Sequence, residues 1–124
     1  MLGKRILVVD DEDHICRVVS LKLQHAGFRV RVARDVPEAR AQCLHERPDL
    51  IITDHHLPGP SGLDFCAEVA EWPGGAVPVI LLTARTYDVQ HDPRRPPNLR
   101  RIVAKPFSPR ALVQNIRELL EVAA

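Results

Sequence analysis

The sequence predicts an α/β fold in which a mainly parallel sheet is covered by helices on both faces. Five runs of strand length alternate with segments whose apolar residues recur at helical spacing. The connections are short and rich in proline, glycine and capping residues, as expected between such elements. With 124 residues the chain is expected to form a single domain, 1–124, around one core.

The first strand is predicted from Arg5 to Asp10, where Ile-Leu-Val-Val lies between charged residues. Apolar residues then recur at helical spacing, and Gly27 ends this first helix in the manner of a C-cap. The next strand, Phe28 to Ala33, alternates apolar and arginine residues. That alternation predicts an edge strand with one polar face.

The second helix is predicted to begin at Asp35, an N-cap with a capping-box partner at Glu38. A third strand follows from Leu50 to Asp54, and its polar end leads into a loop of histidine, proline and glycine. We expect the carboxylate of Asp54 to be displayed at the strand end rather than buried. Ser61, with an acidic residue three positions later, caps a third helix.

The fourth strand is predicted from Val77 to Thr83, an almost unbroken apolar run typical of a strand buried on both faces. The fifth is predicted from Ile102 to Lys105. Ser108 is followed by proline, which is favourable at the first position of a helix, and an amphipathic helix ends the chain.

Composition argues against several classes of function. The apolar share is 45%, the charged share 27% and the formal net charge +1, so no overall charge favours nucleic acid or a membrane surface as a partner. The N-terminal apolar run is too short for a signal peptide or a membrane span, and a cytoplasmic location is expected. The three cysteines are expected to be reduced and buried: Cys16, Cys43 and Cys66.

Four of the five predicted strands end in a reactive or ionic side chain. In a parallel sheet the carboxyl ends of the strands share one edge, where ligands bind. Folding should therefore gather five side chains: Asp10, Asp11, Asp54, Thr83 and Lys105. Three neighbouring carboxylates favour a hard divalent cation, most simply Mg²⁺. Asp54 would then be a nucleophile toward phosphorus, with Lys105 and Thr83 contacting phosphate oxygens, and the site is interpreted as a phosphoryl acceptor.

At this point the residues resemble a known family, the receiver domain of bacterial two-component response regulators. The resemblance covers the whole chain and rests on an ordered set of segments: Val8-Val9-Asp10-Asp11-Glu12, Leu50 to Asp54 with Leu57-Pro58-Gly59, Thr83-Ala84, and Lys105-Pro106-Phe107. It implies a flavodoxin-like, five-stranded parallel sheet of order 2-1-3-4-5.

The resemblance also implies residue roles. Asp54 would form an aspartyl phosphate, Thr83 would be the switch hydroxyl, and Lys105 would contact the phosphate. Four residues would hold Mg²⁺, with Asp11 the more direct carboxylate ligand: Asp10, Asp11, Asp54 and His56 through its backbone carbonyl. The implied donor is a sensor histidine kinase or a phosphotransfer protein, and the implied output is a downstream protein or a domain outside this chain. Apart from self-dephosphorylation, no enzymatic activity is expected.

Two features depart from the family pattern. The position three residues before the lysine usually carries tyrosine or phenylalanine, but here it is Ile102. The segment 85–101 is rich in proline, which disfavours helix, so the fourth helix is expected to be irregular or shortened. Five arginines in that segment could contact an acidic partner, although a solvated loop is the preferred interpretation.

The adjacent His55 and His56 could recruit a transition metal, but neighbouring loop residues usually point apart. The preferred interpretation is that His56 and Arg85 line the mouth of the site, where by resemblance those positions tune loss of the phosphoryl group.

Two alternative classes of function are a phosphohydrolase and a phosphorylation-independent interaction module. A haloacid-dehalogenase-type phosphohydrolase also uses an aspartate at a strand end, but Ile15 and Asp11 fit its signature poorly and the chain lacks room for a cap domain. A phosphorylation-independent interaction module is the other alternative. The complete set of acidic, hydroxyl and lysine side chains argues against it, because an unused carboxylate cluster is electrostatically costly.

Overall fold

The computed structural model describes residues 3–121, which form a five-stranded parallel sheet of order β2-β1-β3-β4-β5 with helices on both faces. This confirms the predicted fold class and strand order. The elements in chain order are β1 (Arg5–Val9), α1 (Asp13–His25), β2 (Arg29–Ala33), α2 (Val36–His45), β3 (Leu50–Asp54), α3 (Gly62–Ala70), β4 (Val79–Thr83), α4 (Thr86–Gln90), β5 (Leu99–Ala104) and α5 (Pro109–Leu120).

The core has two layers because successive strand residues face opposite sides of the sheet. One layer lies under α1 and α5 and takes its buried strand residues from three strands, β1, β3 and β4: Ile6, Val8, Leu50, Ile52, Ile80 and Leu82. The other lies under α2, α3 and α4: Leu7, Val9, Ile51, Val79 and Leu81. Every residue of β3 and β4 is buried, as expected for central strands covered on both faces.

Helix capping follows the sequence with one difference. Ser61 and Asp64 form the full capping box at α3, with both side chain to backbone distances 3.0 Å. At α2 the Asp35 carboxylate accepts from the Glu38 backbone N–H at 2.9 Å. The Glu38 carboxylate, however, accepts from the N–H of Arg34 at 3.2 Å. In a full capping box the Glu38 carboxylate would accept from the N–H of the N-cap, Asp35, but here it accepts from the residue before it.

The boundaries of the last two strands differ from the prediction. β4 begins at Val79, so Pro78 lies just before the strand rather than in it. β5 begins at Leu99, three residues before the predicted start. Its first residues include two arginines, which suggested a loop. An edge strand tolerates such polar residues because one of its sides has no neighbouring strand.

The segment 85–101 keeps only a five-residue helix, α4, which confirms the expected shortening. Beyond it, the buried Asn98 anchors the chain: its Nδ2 donates to the carbonyls of Cys66 and Val77, both at 3.2 Å. Two of the arginines pair within the segment, Arg85 with Asp88 and Arg94 with Asp92. Both arginines of these local pairs are exposed, which agrees with a solvated surface for this part of the segment.

The cysteines are free and buried, as predicted: Cys16, Cys43 and Cys66. No helix within residues 3–121 has the length and apolar character needed to cross a membrane.

Candidate functional site

The predicted side chains meet at the carboxyl edge of the sheet. Asp10 directly follows β1, Asp54 and Thr83 are the last residues of β3 and β4, and Lys105 directly follows β5. Asp10 is 1% exposed and Asp54 is 3% exposed, whereas Asp11 is exposed. The expectation that Asp54 is displayed is therefore wrong. Strand-end position alone does not decide exposure.

The three carboxylates form one cluster. One ligand atom from each of Asp10, Asp11 and Asp54 lies within 4.8 Å of the other two. Asp10 Oδ1 accepts from the Glu12 backbone N–H at 2.9 Å, but the buried Oδ2 has no hydrogen-bond partner among the described residues. Burial raises the pKa of Asp10 to about 6, and the charge of Asp54 adds to this rise while the Glu12 N–H opposes it.

Lys105 supplies the positive charge of the site. Its Nζ lies 2.8 Å from Asp54 Oδ1. Burial tends to lower the pKa of the Lys105 ammonium, but the hydrogen bond to Asp54 and the nearby carboxylates outweigh it, so that pKa is raised. The Lys105 backbone N–H also donates to the Thr83 carbonyl at 3.0 Å, which fixes the lysine next to the end of β4.

Thr83 is held by polar contacts on both sides. Its Oγ1 accepts from the Arg85 backbone N–H at 2.9 Å and lies 3.2 Å from Nδ1 of His55. The hydroxyl is buried, at the end of the strand next to Asp54. Burial lowers the pKa of the His55 imidazole, and the charge of His56 lowers it further.

The two adjacent histidines do not point apart, contrary to the expectation. Their rings stack with centroids 4.9 Å apart and an interplanar angle of 23°. Both line a cavity of about 260 Å³ that is also bordered by Arg85 and by Asp88 of α4. Among residues 3–121, the one group of three or more metal-ligating side chains close enough to share an ion is the aspartate cluster, which contains neither histidine.

One residue that shapes the site was missed from the sequence. A Cβ added to Gly62 would lie 2.1 Å from the backbone oxygen of Asp54 and 2.9 Å from Thr53 Oγ1. The Gly62 N–H donates to the His55 carbonyl at 3.0 Å and closes the loop after β3. A glycine at the first position of a helix, where other residues have higher helix propensity, was the available signal.

This arrangement suits two kinds of ligand. Three carboxylates with a buried unpartnered oxygen fit a hard divalent cation that prefers oxygen ligands. The ammonium of Lys105 contacts the Asp54 carboxylate, and Thr83 ends the strand that pairs with β3, so both side chains could donate to an anionic group attached to Asp54.

The chain is similar to proteins of one family. The family described as "Response regulator receiver domain" matches residues 6–117. The phosphate regulon transcriptional regulatory protein PhoB of Pseudomonas aeruginosa is 33% identical over 121 residues, which are 97% of this chain and 53% of PhoB. The DNA-binding response regulator MtrA of Mycolicibacterium smegmatis is 35% identical over 119 residues, 96% of this chain and 51% of MtrA. The chain thus spans about half the length of these curated relatives.

Solved structures agree in fold. The chemotaxis response regulator CheY4 of Vibrio cholerae has a TM-score of 0.84 at 29% identity, and the match covers 96% of this chain and 99% of CheY4. The signal receiver domain of a signal transduction histidine kinase from Syntrophus aciditrophicus has a TM-score of 0.80 at 27% identity, with 96% and 91% covered.

Proposed function

Since this chain belongs to the response regulator receiver domain family, we propose that Asp54 accepts a phosphoryl group from the phosphohistidine of a sensor histidine kinase or a phosphotransfer protein. The observation that carries the proposal is the contact of 2.8 Å between Lys105 Nζ and Asp54 Oδ1, at a carboxylate clustered with Asp10 and Asp11. This site combines a nucleophilic oxygen with a cation for the incoming phosphoryl group.

In the proposed transfer an oxygen of Asp54 attacks phosphorus while the phosphorus–nitrogen bond of the donor breaks. The leaving nitrogen keeps the bonding electron pair, and the imidazole departs as a neutral ring because its other nitrogen carries a proton. The product is an aspartyl phosphate. Catalysis here depends on positioning and charge stabilisation rather than on an acid or base of the protein.

Lys105 and Thr83 stabilise the product. The ammonium of Lys105 already contacts the Asp54 carboxylate and can move to an oxygen of the attached phosphoryl group. Thr83 ends the strand that pairs with β3, so its hydroxyl can donate to a second oxygen. The resulting hydrogen bonds to an anion are stronger than those between neutral groups. This exchange of partners would link the chemistry to the loop that follows β4.

Mg²⁺ is the proposed cofactor. Four oxygen ligands would hold it: those of Asp10, Asp11, Asp54 and the His56 backbone carbonyl. The unpartnered, buried Oδ2 of Asp10 supports this assignment, because a buried carboxylate oxygen without a donor is costly unless a cation satisfies it. When bound, the ion supplies positive charge that offsets the negative charge of the phosphoryl group.

The proposed role is signal transduction in the cytoplasm, and the receiver is not expected to contact nucleic acid or membrane directly. PhoB and MtrA are about twice as long as this chain, and MtrA is named a DNA-binding response regulator. We therefore place the output in a downstream protein or in a domain outside this chain.

Intact-mass measurement after incubation with acetyl phosphate and Mg²⁺ tests the chemistry. The wild type should gain one phosphoryl group, and the gain should be lost in Asp54→Asn and after chelation of Mg²⁺. Asp88→Asn is the matched control, because it removes an exposed carboxylate of α4 and should leave the gain intact.

An adduct that persists in Asp54→Asn would contradict the assignment of the nucleophile. If the wild type forms no adduct, binding of beryllofluoride, a phosphoryl analogue that does not hydrolyse, distinguishes rapid hydrolysis from lack of the activity. Failure of both would favour a phosphorylation-independent interaction module.

A further inference from the structure

His55 and Thr83 share a contact that the proposed chemistry does not use. The ring nitrogen Nδ1 of His55 lies 3.2 Å from Oγ1 of Thr83. Among residues 3–121, the other polar group in contact with this oxygen is the Arg85 backbone N–H, at 2.9 Å. An imidazole directly after the phosphoacceptor therefore touches the hydroxyl that the phosphoryl group needs.

A threonine hydroxyl has one proton to donate. The Arg85 N–H is a donor, so it occupies a lone pair of Thr83 Oγ1 and leaves the hydroxyl proton available. In the tautomer whose ring proton is on Nε2, Nδ1 of His55 accepts a hydrogen bond from the Thr83 hydroxyl. A phosphoryl oxygen on Asp54 would require the same proton, so the two acceptors compete for it.

We infer that His55 is a positioning residue. It accepts the hydrogen bond of the Thr83 hydroxyl while Asp54 is unphosphorylated, and it loses this bond when Asp54 is phosphorylated. The inference rests on the proposed function, because it requires a phosphoryl group on Asp54. No covalent bond changes in this step. One hydrogen bond, from the hydroxyl to an imidazole, is exchanged for another, to a phosphoryl oxygen.

The contacts of His55 link a movement of its ring to helix α4. Its ring stacks on that of His56, and the pair lines the cavity bordered by Arg85 and Asp88. A displaced His55 ring therefore alters the wall of a cavity that α4 completes. Ile102 packs against the core and has no group that could follow the hydroxyl by hydrogen bonding. His55 thus supplies the coupling that an aliphatic side chain at position 102 cannot.

The ¹⁵N resonance of His55 Nδ1 tests this directly in the full chain. It should shift when acetyl phosphate and Mg²⁺ phosphorylate the protein, with the adduct confirmed by intact mass in the same sample. Unphosphorylated Thr83→Val, which lacks the hydroxyl, should already show a shift in the same direction. The exposed His45, at the end of α2, is the internal reference whose signal should not move.

The outcomes separate the two proposals. If no phosphoryl group is gained and beryllofluoride does not bind, the proposed function fails and this inference fails with it. If the adduct forms but the His55 Nδ1 resonance stays unchanged, only the inference is overturned. The same holds if Thr83→Val leaves that resonance where it is in the wild type.

Substitutions of His55 give a second test. His55→Gln keeps a group that can bond the Thr83 hydroxyl, whereas His55→Leu does not. The amide shifts of α4 on phosphorylation should fall to less than half of the wild-type values in His55→Leu and be largely retained in His55→Gln. Equal responses would overturn the inference. His56→Leu, which removes the stacked ring but not the Thr83 contact, should retain the His55 Nδ1 shift.

Discussion

Replacing Asp10 by asparagine should stabilise the protein against unfolding at neutral pH when Mg²⁺ is removed. The folded protein holds this carboxylate buried, with one oxygen unpartnered and Asp54 nearby, so its charged form is disfavoured. Asparagine keeps an oxygen for the Glu12 N–H and carries no charge, and its amide can donate to Asp54. The substitution therefore removes the free-energy cost of the buried charge while keeping the hydrogen bond from the Glu12 N–H.

The size of the effect follows from the pKa. Asp10 has a pKa of about 6 in the folded protein against an ordinary value of 3.8. Between these values the folded state binds the proton more strongly than the unfolded state, so stability falls as pH rises and the full penalty is present above pH 6. A difference of about two units corresponds to at most about 3 kcal/mol. Because the hydrogen bonds of the new asparagine amide will not be ideal, Asp10→Asn should raise the free energy of unfolding by about 1–3 kcal/mol.

Urea unfolding of the two proteins in EDTA, at intervals from pH 4 to pH 8, measures this gain. The advantage of Asp10→Asn should be large above pH 6 and shrink toward pH 4, where the wild-type carboxyl is protonated. Asp11→Asn is the matched control: its side chain is exposed, and its stability should change by no more than about 0.5 kcal/mol. Saturating Mg²⁺ should reduce the difference in stability between the two proteins, because Asp10 is a proposed ligand of the ion and binding would then stabilise the wild type more.

Two results would refute this reasoning. The first is an Asp10→Asn protein that is no more stable than the wild type in EDTA at pH 7.5. The second is a gain that is the same at pH 4.5 and pH 7.5, which would mean that the benefit does not come from removing a buried charge.

Other predictions concern the scaffold of the site. Gly62→Ala should cost more than about 2 kcal/mol in urea unfolding and reduce phosphoryl gain from acetyl phosphate, because the new Cβ would overlap the Asp54 carbonyl; unchanged stability would contradict the close approach. Asn98→Ala should cost about 2–3 kcal/mol by the same assay, since it removes two buried hydrogen bonds, those to the carbonyls of Cys66 and Val77. Ser61→Ala should cost about 1 kcal/mol through the lost cap of α3, with Ser61→Asp as the variant that restores stability.

Several features of this protein follow from local patterns in the chain. Apolar runs that end abruptly at Asp10, Asp54 and Thr83 placed these residues at strand ends, and a parallel sheet brings strand ends to one edge. The prolines after position 92 predicted a short fourth helix because proline cannot donate a backbone hydrogen bond. The start of β5 was missed because an edge strand accepts arginines that resemble a loop.

Other features were decided only by the tertiary structure. The burial of Asp54, the stacking of His55 on His56, and the approach that excludes a side chain at Gly62 all depend on packing within the folded protein. The contact between His55 and Thr83 joins residues of different strand ends. Local periodicity reports which way a residue faces, but distance and burial depend on elements far apart in the chain. The sequence therefore determined which groups meet at the sheet edge, and packing determined which of them touch.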